Sequence, residues 1–295
     1  MAAMSDAFKA HVKTGLTTLC RAWLIDRTDG VQHGFTDHDQ DLSFDGYSFA
    51  AGTGLSALAL QQSTGLSVDN TEAIGAISDL SVTEADIEAG RFDMAEVRCW
   101  LVNWADVSQR WLMFRGTIGQ LRRSGGAFHA ELRGLTELLN RPLGRVYQKP
   151  CTAVLGDHSC RFALDTPGFV EELPVDQHHR GQEFIWPDLA GFEPGWFSRG
   201  TIEVLSGSAK GLTEVIKQDR GNETARIIEL WQPLRAVVEQ GDMLRLQAGC
   251  DKRMQTCRLK FNNVLNFQGF PDIPGEDWVM SVPKQTGTNT GGSRR

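Results

Sequence analysis

"CRAWLIDRTDG", residues 20–30, and "AEVRCWLVNW", residues 95–104, decide the fold class. In the first stretch Cys20, Ala22 and Leu24 alternate with Arg21, Trp23 and Ile25, and Asp29-Gly30 supplies a turn. A period of two running into a Gly turn is the pattern of a β-hairpin. In the second stretch Val97, Cys99 and Leu101 fall on one side and Arg98, Trp100 and Val102 on the other. Both sets are largely apolar, which predicts a strand covered on both faces. Cys20 and Cys99 then read as small apolar side chains in a core.

The same signals extend along the chain. Residues 5–16 predict a short helix capped by Ser5, with Phe8, Val12 and Leu16 on one face. "SVTEADIEAGR" predicts a second, with Thr83 as N-cap, Glu84 and Asp86 in the first turn and Gly90 at the stop. "WLMFRGTIGQLRRSGGAFHAELRG" predicts two strands around Gly125-Gly126, and "LTELLN" a helical turn or two ended by Pro142. Residues 200–246 alternate again, with turns near Gly207, Gly221 and Gly241, as a second β-barrel or sandwich does. The expected fold is therefore mainly β with a few short helices. A break near residues 141–149 divides the chain into an N-terminal β-rich domain (1–145) and a C-terminal β domain (146–283). The end, "KQTGTNTGGSRR" (284–295), has no apolar residue and reads as a disordered tail.

Composition limits the function. A chain of 295 residues can bury cores that need no covalent staple. Thirty-seven acids against 30 Lys and Arg leave a formal charge of −7, which argues against a surface that gathers phosphates throughout. The first residues include Lys9, His11 and Lys13 and lack the apolar core of a signal peptide, and no apolar stretch has the length of a membrane span. The expectation is a protein made in the cytoplasm without stable membrane insertion, where structural disulfides are uncommon.

Four of the six cysteines stand apart, in "PCTAVLGDHSC" (150–160) and "GCDKRMQTC" (249–257). Eight residues separate Cys151 from Cys160, six separate Cys250 from Cys257, and 89 lie between the pairs. Each pair brackets a polar or Gly-containing segment and not a strand face. Disulfides, a zinc site and an iron–sulfur cluster all remain open from the residues alone. Structural zinc usually uses cysteines two to four residues apart, whereas a four-thiolate cube spreads its ligands over a larger volume. The spacing leans towards the cluster. Gly156 and Gly249 are expected to let backbone N–H groups approach sulfur. Arg161, Lys252, Arg253 and Arg258 either offset thiolate charge or form a solvated face.

Other constellations carry less. Asp37, His38, Asp39 and Asp41 open like an EF-hand loop, but Leu42 stands in place of its Gly and Ser48 in place of its Glu, so the block reads as a polar hairpin end. His178 and His179 read as a solvated loop. Trp186, Phe192, Trp196 and Phe197 are candidates for a core, with an interface as the lesser reading. There is no Walker loop, Gly-x-Ser-x-Gly elbow or His-Glu-x-x-His helix.

The ordered blocks "TLCRAWLIDRTDGVQHGFTDHDQDLSFDG", "GLSVDNTEAIGAIS", "VTEADIEAGRFDMAEV", "CTAVLGDHSC" and "GCDKRMQTCRLKFNNVLNFQGFPDIPG" closely resemble the tail hub proteins of alphaproteobacterial gene transfer agents and related siphophages. The likeness runs over nearly all of residues 5–280. The cysteine pairs are also similar to those of the lambda-type tail-tip protein L, which has the same intra-pair spacings and carries a 4Fe-4S cluster. The segment 161–249 is longer here than in that protein. The resemblance implies Cys151, Cys160, Cys250 and Cys257 as cluster ligands, zinc being the alternative. It further implies a structural virion protein with tail-tube-like β-barrels, forming a homotrimeric ring at the tail tip or baseplate. Its implied partners are the distal tail protein, the tape-measure protein and the tip or central fibre proteins, and DNA passes through without sequence-specific binding. The competing expectation is an iron–sulfur or zinc enzyme with a redox or hydrolytic role.

Overall fold

The computed structural model describes residues 4–51, 55–57, 70–75, 83–124, 127–134, 144–187, 189, 191–221 and 225–274. The expected helical turn at 135–140 and the tail at 284–295 lie outside them. The chain is mainly β, as its alternation predicts, and falls into two compact units, Met1–Leu143 and Gly144–Arg295.

In the first unit the alternating stretches form β1 (Leu19–Asp26), β2 (Gln32–Thr36) and β7 (Glu96–Asn103). Two hairpin strands, β3 (Leu42–Phe44) and β4 (Tyr47–Phe49), lie beside β5 (Leu55–Ala57) and β6 (Asn70–Gly75) in chain order. β8 (Arg110–Ser124) and β9 (Ala127–Gly134) complete the set. An antiparallel sheet runs β2-β1-β7-β8-β9-β6-β5. The β3–β4 turn uses Asp45 and Gly46, both at positive φ, where Gly costs no Cβ strain.

The central strand β7 is covered on both faces. Val97 and Cys99 pack with Trp23, Ile25 and Phe114 on one side, while Trp100 and Val102 pack with Cys20, Leu24 and Phe49 on the other. A bulge at Cys99/Trp100 shifts the register against β8. Cys20 and Cys99 are core thiols, and burial raises both pKa values, that of Cys20 to about 11.

Local caps set the helices. Ser5 accepts from Phe8 N to start α1 (Asp6–Lys13), and Thr83 accepts from Asp86 N to start α2 (Glu84–Glu88). A network of Arg27 and Arg91 with Asp29 and Asp86 ties α2 to the β1–β2 turn, with the Arg27 guanidinium 5.0 Å over the Phe92 ring. The "TDHDQD" block is a polar turn: Asp37 accepts from Arg21 N at 2.6 Å and Asp41 from Ala51 N at 2.8 Å.

The second unit contains a barrel. Its strands are β10 (Val170–Pro174), β11 (Gln177–His179), β12 (Glu183–Trp186), β13 (Thr201–Val204), β14 (Thr213–Gly221), β15 (Arg226–Leu230) and β16 (Met243–Gln247). The ladder runs β10-β16-β13-β14-β15-β12-β11. β10 and β11 are parts of one bent run, parted by Val175 and Asp176, so the ladder begins and ends on the same stretch of chain. Bringing both ends of the ladder onto one run leaves only the short outer edges of β10 and β11 without a ladder partner among the described residues. His178 and His179 thus lie in a short strand, not in a loop, because β12 supplies partners for their backbone.

Ile202, Ile216, Ile228, Leu230, Leu244 and Leu246 fill the barrel with no solvent exposure. Trp186 and Phe197 belong to this core, and the partly buried Phe192 and Trp196 pack against it, so these four aromatics serve the core. Among the described residues no helix is long and apolar enough to cross a membrane.

Candidate metal centre

The first cysteine loop is folded by Asp157. Its carboxylate accepts from Val154 N (2.8 Å), Ser159 N (2.9 Å) and Cys160 N (2.6 Å), which bends residues 154–160 back on themselves. The N–H of Cys160, then that of Val154, holds the Asp157 carboxyl below its ordinary value. Gly156 takes φ +83° in this bend. The second pair lies on a turn at 250–253 and on α3 (Met254–Leu259), which carries Cys257.

Two contacts align the loops. Cys151 N donates to Lys252 O at 2.8 Å, and Lys252 Nζ donates to Ala153 O at 2.5 Å. As a result Cys151, Cys160, Cys250 and Cys257 line a single pocket, walled by Ala153, Leu155, Phe261 and Phe267. All four are free thiols, and Cys160 is the most buried. Sequence pairs separated by 89 residues are thereby gathered into one place.

The thiols sense one another. Burial pushes the Cys257 pKa up to about 11, and the charges of Cys250, Cys151 and Cys160 push in the same direction. Burial also raises Cys250, against the opposing N–H and charge of Lys252. Four thiolates here require a compensating cation, and a bound metal group would displace their protons. Among the described residues no three His, Cys, Asp or Glu side chains converge closely enough to hold a single ion. The donor set that lines the pocket is all sulfur, the ligand type of both iron–sulfur clusters and structural zinc.

Some of the expected supporting groups act otherwise. Gly249 N–H donates to Trp196 O at 3.1 Å and not to sulfur. A Cβ at Gly249 would lie 1.7 Å from Ser198 O, so this glycine serves close backbone packing. Arg161 and Arg258 are exposed and belong to the solvated face, whereas Arg253, also exposed, lines the cysteine pocket. Lys252 is half-buried, and its backbone N–H, together with its charge, acts on Cys250.

The sequence reading missed the polar groups that follow Cys257. Asn263 Nδ2 donates to Cys160 O at 2.7 Å and lies 3.5 Å from Cys160 Sγ. Cys257 Sγ is 3.3 Å from Asn263 O, and Gln268 N is 3.4 Å from Cys151 Sγ. Lys260 Nζ donates to Trp196 O and Gly249 O and sits 4.3 Å from the Trp196 ring centroid. Burial lowers the Lys260 pKa to about 8 despite the nearby charges of Cys250 and Asp251. Phe162, Phe169 and Phe261 stack in a group beside Trp196. The density of amides in "FNNVLNFQG" was the available signal.

Residues 5–163 match the family described as "Baseplate hub protein, N-terminal attachment domain", which takes in Cys151 and Cys160. Residues 195–277, with Cys250 and Cys257, match "Phage conserved hypothetical protein BR0599". Among curated proteins none matches the chain. A chain of the solved structure titled "Virion of native gene transfer agent (GTA) particle" is 52% identical, with a TM-score of 0.91, over 98% of this chain and 99% of that one. With its first half matched as an attachment domain and its whole length matched by a virion chain, this protein belongs to the baseplate hub family, structural proteins of the virion tail.

Proposed function

We propose that three copies of this chain close a ring at the tail tip of a phage-like particle, joining the distal tail to the tip and leaving a passage for DNA. The observation that carries this reading is the likeness to a gene transfer agent virion chain over the full length of both. In such a ring each copy meets the next head to tail, and the distal tail, tape-measure and tip or central fibre proteins bind above and below. The net charge of −7 suits a passage that DNA crosses without gripping.

Cys151, Cys160, Cys250 and Cys257 hold a 4Fe-4S cluster in this reading. Bound there, the cluster supplies a multidentate cross-link between the 151–160 loop and the 250–257 turn. Four cysteine ligands leave no open position for a substrate, so the role is that of a structural clamp and not of a hydrolytic enzyme. Anaerobically purified protein should contain about four irons with matching sulfide per chain, and Cys250→Ser should lose them and lower tail assembly. Zinc or no metal in the unaltered protein would overturn the cluster. Symmetry analysis of images of purified tails should find this chain in threefold copies; a monomer or a hexamer there would overturn the ring.

A further inference from the structure

Asn263 touches both halves of the cysteine pocket. Its backbone N donates to Cys257 O at 3.0 Å, its carbonyl faces Cys257 Sγ, and its side-chain Nδ2 reaches the carbonyl and sulfur of Cys160. The amide has a defined orientation, because Asn266 Nδ2 donates to Asn263 Oδ1 at 2.7 Å and leaves the NH2 group facing Cys160. The 3-10 turn Val264–Asn266 then carries Gln268 N–H to Cys151 Sγ, while Lys252 N–H serves Cys250. Three of the four sulfurs thus meet an N–H donor. The donors from Gln268 and Lys252 are backbone groups, whereas the donor to Cys160 is the side chain of Asn263.

We propose that Asn263 is a positioning residue of the cysteine centre, locking Cys160 against Cys257 and donating an N–H to the Cys160 sulfur so that the reduced form of the cluster is favoured. This rests on the 4Fe-4S reading given above. Reduction adds one electron, and hence one negative charge, to the cluster and its thiolates. An N–H aimed at a ligand sulfur stabilises that added charge, which raises the reduction potential. Ligation removes the Cys257 thiol proton and with it the contact to the Asn263 carbonyl, but the Nδ2 donor to Cys160 remains.

The test uses full-length protein purified anaerobically and titrated with dithionite in the presence of redox mediators, with iron content measured first. Asn263→Ala and Asn263→Asp should move the midpoint to more negative potential, so that the reduced fraction at the wild-type midpoint falls several-fold. Asn263→Asp should move it further, since it sets a carboxylate beside the sulfur. Asn263→Gln should recover part of the shift, and Leu265→Ala, at a position 97% exposed, should leave it unchanged. Asn266→Ala keeps Asn263 and frees its amide; a smaller shift of the same sign is expected, and it serves as the probe if the Asn263 variants load too little iron to titrate. Unchanged midpoints in the Asn263 and Asn266 variants would overturn the inference, even if iron content drops. A wild-type protein without iron would instead overturn the cluster reading, before any variant is compared.

Discussion

The barrel and the cysteine module, both within residues 144–274, are held together by different means. The barrel uses ladder hydrogen bonds and an interior of Ile and Leu side chains, with closure along 170–179. The module, made of residues 144–162 and 249–274, has a six-residue helix and one 3-10 turn, and otherwise depends on individually placed polar contacts around its thiols. Many weak, redundant contacts make a barrel tolerant of the loss of any one. A module built from single contacts depends on each of them.

The two regions meet at the loop 192–198. Arg226, itself paired with Asp219 in the barrel, donates to the carbonyls of Phe192 and Glu193, and Asp219 accepts from Phe197 N. On the module side, Gly249 N and Lys260 Nζ both donate to Trp196 O. A buried ion pair in the barrel therefore positions the surface on which the module rests.

Five substitutions probe this difference, beginning with the largest expected effect. Asp219→Ala leaves Arg226 charged and buried without its carboxylate partner; the Asp219 and Arg226 side chains are 0% and 5% exposed, and the loss should be about 3–5 kcal/mol in denaturant unfolding. If the cysteine pocket holds the proposed cluster, iron should be lost with it, because the Trp196 loop loses its anchor on Asp219. The contrast with Cys250→Ser is the diagnostic one, since that variant should lose iron while the barrel unfolds near its wild-type midpoint. An Asp219→Ala protein of normal stability would remove the loop from its proposed place as the joint.

Gly249→Ala strikes the joint itself. The added Cβ would meet Ser198 O, Ser198 C and Gly200 N, all backbone atoms that cannot rotate away. Overpacking of this kind should cost about 1–3 kcal/mol, read by thermal unfolding of the full chain. Retention of wild-type stability would mean that the module and barrel are not in firm contact there.

The smallest effect belongs to the first unit and serves as a control. Burial works against the Asp29 carboxylate, but hydrogen bonds from Arg27 and Val31 N and the charges of Arg27 and Arg91 outweigh it and lower the pKa. Glu96 is likewise lowered, with Arg98 and Arg115 overcoming burial. Depressed folded values mean stability that is present above the unfolded values of 3.8 and 4.5 and lost as pH falls through the folded ones. Each group should contribute less than about 1 kcal/mol, because these pairs are partly exposed and screened. Acid unfolding followed in Asp29→Asn and Glu96→Gln should show a shallower decline below pH 4. An unchanged acid limb would assign the loss to other carboxylates.

How far these regions could be read in advance follows from the range of their contacts. Ser5 and Thr83 were visible as caps because a cap binds a residue three positions on. Cys20 and Cys99 were visible as core thiols because alternation reports which face of a strand is buried. The strand character of His178 and His179 was hidden, since it comes from pairing with β12 and not from their own propensities. The packing of Gly249 N–H on Trp196 O was hidden, since the two residues lie far apart along the chain. Asn263 was passed over for a related reason: its contact with Cys160 spans 103 positions.

By itself the amino-acid sequence determined the β class, the caps, the two core thiols and the spacing of the other four cysteines, because periodicity and neighbour chemistry act within a few residues. Only the tertiary structure decided that those four line one pocket, which amides face their sulfurs, and that the barrel closes on 170–179. Such contacts join residues dozens of positions apart. Which of the many loop closures forms is settled by the packing of the whole unit, and no local pattern records it.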